Sequence, residues 1–338
     1  MTPESIHGPI SSFQVATPIT IGRIALNSLP GLLVDLAVEN PFWILPDEIV
    51  QQRSIKKILS HVYGKSHIDW ESNSSIITSS TNVSDLTEMG QYIRKQGHDG
   101  ILLAGDSDTL GKGKIAAQEL KTIVVPCGES DCSEFSVQFP SHTIGDGRLT
   151  RATTPKNVAR TVCSALMHIC TSLLENENPM LMGIAESGLQ HAHQTMELLL
   201  EPGLTGQRWI DCTLFAISTS HAAGICAQNR GESTIINFCK HLAISGLADQ
   251  YQTTAAMLPA VFSLIDKQHR PLYTHMKRLL RGMDPIEFSK AWLSLTEPKG
   301  TDQVLQQLCG ELKSLFIDKD HEEELVTFLA HFPIERRS

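Results

Sequence analysis

A change of hydrophobic period near residue 150 constrains this chain more than any other feature. Before it, short β-branched and aromatic runs alternate with helical segments. Pro41–Pro46, Gly100–Ala104 and Thr122–Pro126 predict buried strands, and Ser75–Thr78 a short one. Ser54–Val62, Val83–Gln96 and Gly113–Leu120 predict helices, with Leu86, Met89, Tyr92 and Ile93 on one stripe of the second. Strand, helix, strand at this spacing gives parallel βαβ units. After residue 150 the period is helical throughout. Pro155–Leu174, Met182–Leu200, Trp209–Gln228, Ile235–Leu247, Thr253–Lys267 and Pro271–Arg281 predict helices, and three more are expected between Pro285 and Phe332. The expected architecture is an α/β domain over residues 1–150, an all-α domain over 151–338, and a cleft between them. At 338 residues the chain has ample material for two cores.

Charge narrows the partners. Lys and Arg number 28 against 37 Asp and Glu, a formal charge of −9, which disfavours nucleic acid because phosphate neutralisation needs clustered cations. The one dense basic run, Lys277 to Arg281, has helical spacing and predicts a solvated helix face. No window is apolar enough for a transmembrane span, and Met1 to Val15 lacks the pattern of a secretory signal. The eight cysteines form no C-x-x-C pair and fit reduced core residues. These features predict a cytoplasmic protein whose partner is a small-molecule metabolite, with a homodimer as a possible assembly.

The candidate chemistry begins after the strand at Ile101–Ala104. The run Ala104-Gly105-Asp106-Ser107-Asp108-Thr109 leads from strand through a small-residue turn into a helix, the arrangement in which backbone N–H groups and a helix N-terminus favour an anion. Further along stand Gly113-Lys114, Pro126-Cys127-Gly128, Cys132-Ser133-Glu134 and Thr143-Ile144-Gly145-Asp146-Gly147-Arg148-Leu149-Thr150. In the helical half come Ser164-Ala165-Leu166-Met167-His168, Asn178-Pro179, Ile236-Asn237-Phe238-Cys239-Lys240 and Thr253-Thr254-Ala255-Ala256-Met257-Leu258-Pro259.

In this order, over residues 15 to 270, these motifs resemble the iron-containing alcohol dehydrogenase superfamily, with its dehydroquinate synthase-like fold, and within it the maleylacetate reductase branch. Ala104 to Ser107 is similar to the family's G-G-G-S, Gly113-Lys114 to its G-K, and Pro126 to Glu134 to its P-T-T-x-x-G-S-E with one residue inserted. The resemblance implies a dinucleotide site using Asp47 at a strand end for the adenosine ribose, with Gly105, Asp106, Ser107, Thr109, Cys127 and Ser133 around the cofactor. An acidic residue at the ribose predicts NADH over NADPH.

The departures from the family are chemical. The metal-binding Asp and three His match Ser164, His168, Ile236 and Gln250, and a further family His matches Lys240. Ile236 has no donor, and Ser164 and Gln250 are weak ligands, so no catalytic metal is expected. Lys240 can supply a positive charge to a substrate oxygen, or it can extend to solvent while His168 is a core histidine. Asp106 stands where the family has Gly. It either repels a pyrophosphate or caps the following helix. A dinucleotide, NAD(H), is therefore expected as the cofactor, but with impaired binding. Cys127, at a strand end with no His nearby in sequence, fits a structural thiol better than a nucleophile. His191 and His193 on one helix point to different faces, unlike a metal pair.

Two enzyme classes follow from the resemblance and its departures. One is a metal-independent NAD(P)H-linked reductase of a small unsaturated or keto-acid-like metabolite. The other is a non-redox isomerase, cyclase or dehydratase of specialised metabolism that reuses the cleft. Either way His168 is the first candidate as general acid/base, Lys240 as oxyanion partner, and Gln250 and Ser164 as orienting groups. A binding protein without turnover is the third class.

Overall fold

The computed structural model describes residues 18–46, 57, 60–61, 73–78, 80–127, 141–149, 153–175, 178–230 and 250–296. A six-stranded parallel sheet fills the first part: β1 (Ile19–Gly22), β2 (Pro41–Pro46), β3 (Ser74–Ile77), β4 (Gly100–Gly105), β5 (Lys121–Pro126) and β6 (His142–Asp146). They lie in the order β1-β6-β5-β4-β2-β3. β1 is followed by a 3₁₀ turn, Ala25–Ser28, and α1 (Leu29–Asp35). α2 (Val83–Lys95) and α3 (Ser107–Ala117) precede β4 and β5.

The central strands alternate between two cores with the period of two that a pleat imposes. Trp43, Leu45, Leu102, Ile123 and Val125 point to one face, against Leu26, Leu29 and Leu33. Phe42, Ile44, Ile101, Leu103 and Val124 point to the other, against Leu86 and Ile93 of α2 and Leu110 of α3. Burial on both faces is why these runs are continuously apolar.

Among the described residues six helices follow: α4 (Pro155–Glu175), α5 (Pro179–Leu199), α6 (Gly206–Arg230), α7 (Gln250–Gln268), α8 (Arg270–Leu279) and α9 (Pro285–Leu295). Among the described residues no strand lies beyond Asp146. Their core gathers Val162, Leu166, Cys170, Leu189, Cys226, Phe262, Phe288 and Trp292. α6 packs mainly against α4 and α5. Against the sequence expectation, its residues 206–229 are long and apolar enough to cross a membrane, but 61% of their 18-residue apolar window is buried inside the fold, as in a core helix.

Several sequence expectations change. β1 and β6 were not anticipated: each is short, and glycine and polar residues interrupt its apolar pattern. The helix expected over Gly113–Leu120 begins instead at Ser107, because Asp106 caps it, and ends at Ala117. Tyr92 leaves the apolar stripe of α2 and is exposed, whereas Leu86 and Ile93 are buried. The helices expected at Ser54–Val62 and Ile235–Leu247, and those after residue 296, fall largely or wholly outside the described residues.

Candidate functional site at the reversal of strand order

From β2 the chain steps outward to β3, then returns to the other side of β2 and continues through β4, β5 and β6. The direction of winding thus reverses between β2 and β4, and in open parallel sheets the ligand crevice opens beyond the carboxyl ends of the strands at such a reversal. Pro46 ends β2 and Gly105 ends β4. Asp47, which follows Pro46, lies outside the described residues, as does Ser133.

The β4–α3 turn is built from its own side chains. Asp106 is the N-cap of α3, with extended backbone, and its Oδ1 accepts the Thr109 N–H at 3.0 Å. Its carbonyl accepts the Leu110 N–H at 2.9 Å. Thr109 is buried, and a Cβ on Gly105 would come within 2.5 Å of its side chain, so only glycine fits that strand end. Ser107 is the first residue of α3. The cap reading of Asp106 therefore holds, and it carries an electrostatic consequence. An exposed carboxylate sits on the helix N-terminus, where a bound anion would approach. The backbone cradle fits a pyrophosphate; the side chain charge opposes one.

Cys127 follows β5 and donates its backbone N–H to the Gly105 carbonyl at 2.9 Å. Its thiol is half-buried and donates to the Val125 carbonyl at 3.2 Å. Burial, then the nearby charges of Asp146 and Asp106, push this thiol well above the ordinary cysteine range. It is a protonated, structural group, which disfavours the nucleophilic role.

The helical half meets the sheet at the carboxyl ends of β1 and β6. Arg23 donates from Nε and Nη2 to the two carboxylate oxygens of Asp211 on α6, at 3.1 and 3.0 Å. Ile217 of α6 lies 3.0 Å from where a Cβ would stand on Gly145, and Ile210 lies 2.3 Å from one on Gly147. Those glycines let α6 close directly onto β6. Asp146 between them is wholly buried and turns its carboxylate to the Leu26 N–H and to Arg148.

On α4, Ser164 and His168 are both buried and stand one helical turn apart, hence on one face. α7, which Gln250 begins, packs against α4. Lys240 and Ile236 lie outside the described residues. Among the described residues no group of three or more His, Cys, Asp or Glu could hold a metal ion. One imidazole beside a serine hydroxyl does not fit a divalent ion either, since it offers neither charge nor enough ligands. His191 and His193 diverge as expected. His191 stacks on Phe215 and contacts Gln194, while His193 stacks on Phe288 and faces Glu197.

Sequence reasoning missed the Arg23–Asp211 pair, whose members have no local signal linking them. The Gly145-Asp146-Gly147 triplet was visible in sequence, but its use as a docking surface was not.

No protein-family model matches the chain, and no curated protein matches it by sequence. Solved structures do match by shape. Maleylacetate reductase from Rhizobium sp. superposes with a TM-score of 0.69 at 17% identity, over 88% of this chain and 91% of that one. The fold is that of the iron-containing alcohol dehydrogenases and maleylacetate reductases. An iron-containing alcohol dehydrogenase from Corynebacterium glutamicum gives a TM-score of 0.71 at 15% identity, over 87% of this chain and 86% of that one. Sulfoacetaldehyde reductase from Bifidobacterium kashiwanohense, solved in complex with NAD+, gives 0.67 at 15% identity, over 95% and 93%. In this dehydrogenase-like fold the α/β half and the helical half occur in the order that the motifs implied.

Proposed function

We propose that this chain is a metal-independent, dinucleotide-linked reductase of a small keto-acid-like or unsaturated carbonyl metabolite. The observation that carries the reading is the reversal of strand order between β2 and β4, with the Gly105–Thr109 turn at its lip and the helical half docked on the same, carboxyl, side of the sheet. Solved reductases with this fold support it. When bound, the dinucleotide supplies a hydride. The chain's own residues do the rest. The turn and the N-terminus of α3 hold the pyrophosphate, with Asp106 weakening that grip. His168 delivers a proton to the substrate oxygen, Ser164 and Gln250 orient the substrate, and Lys240 stabilises the developing oxyanion. The donor set at Ser164, Ile236 and Gln250 supports chemistry without a metal ion.

A second reading has its own observation. The Asp106 carboxylate already occupies the Thr109 N–H, which favours a non-redox isomerase, cyclase or dehydratase in which the anion cradle has lapsed. Titration with NADH and NADPH, followed by nucleotide fluorescence, separates the two. The reductase reading requires saturable binding by the wild type, tightened in Asp106→Gly. Absence of binding by both proteins at millimolar nucleotide would replace it with the non-redox reading. Elemental analysis of protein purified without chelator tests metal independence; stoichiometric zinc or iron lost in His168→Ala would refute it.

A further inference from the structure

The carboxyl end of β3 carries a polar cluster with no part in the sheet or its cores. Lys112 of α3 reaches across to donate from Nζ to the Thr78 carbonyl at 3.1 Å. Thr78 Oγ1 lies 2.9 Å from Ser80 Oγ and 3.2 Å from Thr81 Oγ1, and Thr81 Oγ1 accepts the Thr78 N–H at 3.0 Å. Three hydroxyls make two contacts with one another. Those contacts use two hydroxyl hydrogens and leave a third to donate elsewhere. α2 begins just beyond, and its N-cap Asn82 shares a capping box with Asp85, whose carboxylate is turned back onto the Asn82 N–H at 3.1 Å. The described side chains of this cluster therefore include an ammonium and three hydroxyls, and the Asp85 carboxylate beside them is committed to the helix.

The layout of the fold gives this cluster a position along a dinucleotide. The helical half touches the sheet at the ends of β1 and β6, so the reactive nicotinamide end must lie on that side. With the pyrophosphate over the β4–α3 turn, the adenosine end runs the other way, past β2 to β3. We propose that Lys112 and the hydroxyls of Thr78, Ser80 and Thr81 form a subsite for the 2′-phosphate of the adenosine ribose, making the phosphorylated dinucleotide the preferred cofactor. This deepens the reductase reading and rests on it. It also runs against the NADH preference drawn from Asp47: a phosphate monoester carries nearly two negative charges, and an ammonium with hydroxyl donors is the chemistry that receives them.

Calorimetric titration with 2′,5′-ADP, 5′-ADP and inorganic phosphate tests the subsite without any redox turnover. The wild type is expected to bind 2′,5′-ADP at least about tenfold more tightly than 5′-ADP, the worth of one charge-assisted contact. Lys112→Gln should abolish that preference and leave 5′-ADP affinity unchanged, while Lys112→Arg, which keeps the charge, should retain most of it. Equal binding of the two nucleotides by the wild type would overturn the subsite and leave the reductase reading standing. Inorganic phosphate bound through Lys112, with no competition from 2′,5′-ADP, would show an anion site unrelated to the cofactor and would also overturn it. Failure of all three probes to bind would remove the subsite and the reductase reading together.

Discussion

Asp146 and Arg148 form a closed pair at the end of β6. The wholly buried carboxylate receives Arg148 Nε at 3.0 Å and Nη2 at 2.7 Å, and the Arg148 N–H at 2.9 Å. It also holds the Leu26 N–H at 2.8 Å, joining β6 to the 3₁₀ turn after β1. Truncating Arg148 leaves that buried charge half compensated. Arg148→Ala is expected to destabilise the protein by about 3 kcal/mol, the usual loss when one partner of a buried pair is removed. Urea unfolding checks this. A loss below about 1 kcal/mol would place the pair among the weak surface interactions instead.

Asp106 combines a stabilising cap with an unfavourable charge, and substitution can separate the two. Asp106→Ala should cost about 1 kcal/mol, the usual value of an N-cap. Asp106→Ser should hold stability within about 0.5 kcal/mol, since a hydroxyl caps nearly as well. Serine also removes the negative charge, so it should tighten dinucleotide binding. Thermal unfolding and nucleotide titration on the same two proteins give both answers.

Three described helices end on non-glycine residues at positive φ: α3 on Gln118 at φ 39°, and two others in the left-handed position. α1 closes with Ala37 at φ 49° and α8 with Arg281 at φ 54°, each in the position where a left-handed residue satisfies the last carbonyls. α2 ends the same way with Gly97 at φ 78°. Ala37→Gly is expected to stabilise by about 1 kcal/mol, because the left-handed region costs residues with a Cβ about that much. Arg281→Gly should give less, since it also removes the exposed ion pair with Glu197. A loss of stability in Ala37→Gly, measured by thermal unfolding, would contradict this account.

Acid sensitivity should come partly from two histidines drawn out of water, His193 buried and His142 half-buried. Burial lowers His142 and His193 below the ordinary 6.5, and for His193 the Glu197 carboxylate only partly offsets this. A histidine with a depressed folded value binds its proton more readily when unfolded. Its stabilising contribution is full above 6.5 and declines as pH falls from there through the folded value. Stability measured by urea unfolding should therefore fall from neutral pH towards about pH 5, and the slope should flatten in His193→Gln and His142→Gln. An unchanged slope in both variants would assign the acid sensitivity to carboxylates.

Legibility in the sequence followed locality. Pro41–Pro46, Gly100–Gly105 and Lys121–Pro126 were recognisable because burial on both faces demands uninterrupted apolar residues. β1 and β6 escaped because they are short and broken by Gly22, Gly145 and Asp146. Asp106 could be anticipated as a cap because a cap acts within three residues of itself. The Arg23–Asp211 pair and the reach of Lys112 to Thr78 depend on how distant elements pack, which no local pattern encodes. Ser164 and His168 were readable as one helix face. What surrounds that face is set by helices packed from elsewhere in the chain.

The pairing of β1 bears on how this molecule comes into being. Among the described residues, Ile19 to Gly22 find their only strand partner in Thr143 to Asp146 of β6. β1 therefore has no mate until β6 has been made. Throughout that interval its backbone donors and acceptors stay open, and the loop that must finally close is among the longest in the α/β half. Strand addition at this edge should be the slow step of assembly, and the nascent chain should be most prone to pair with a neighbour, or to need a chaperone, until β6 appears.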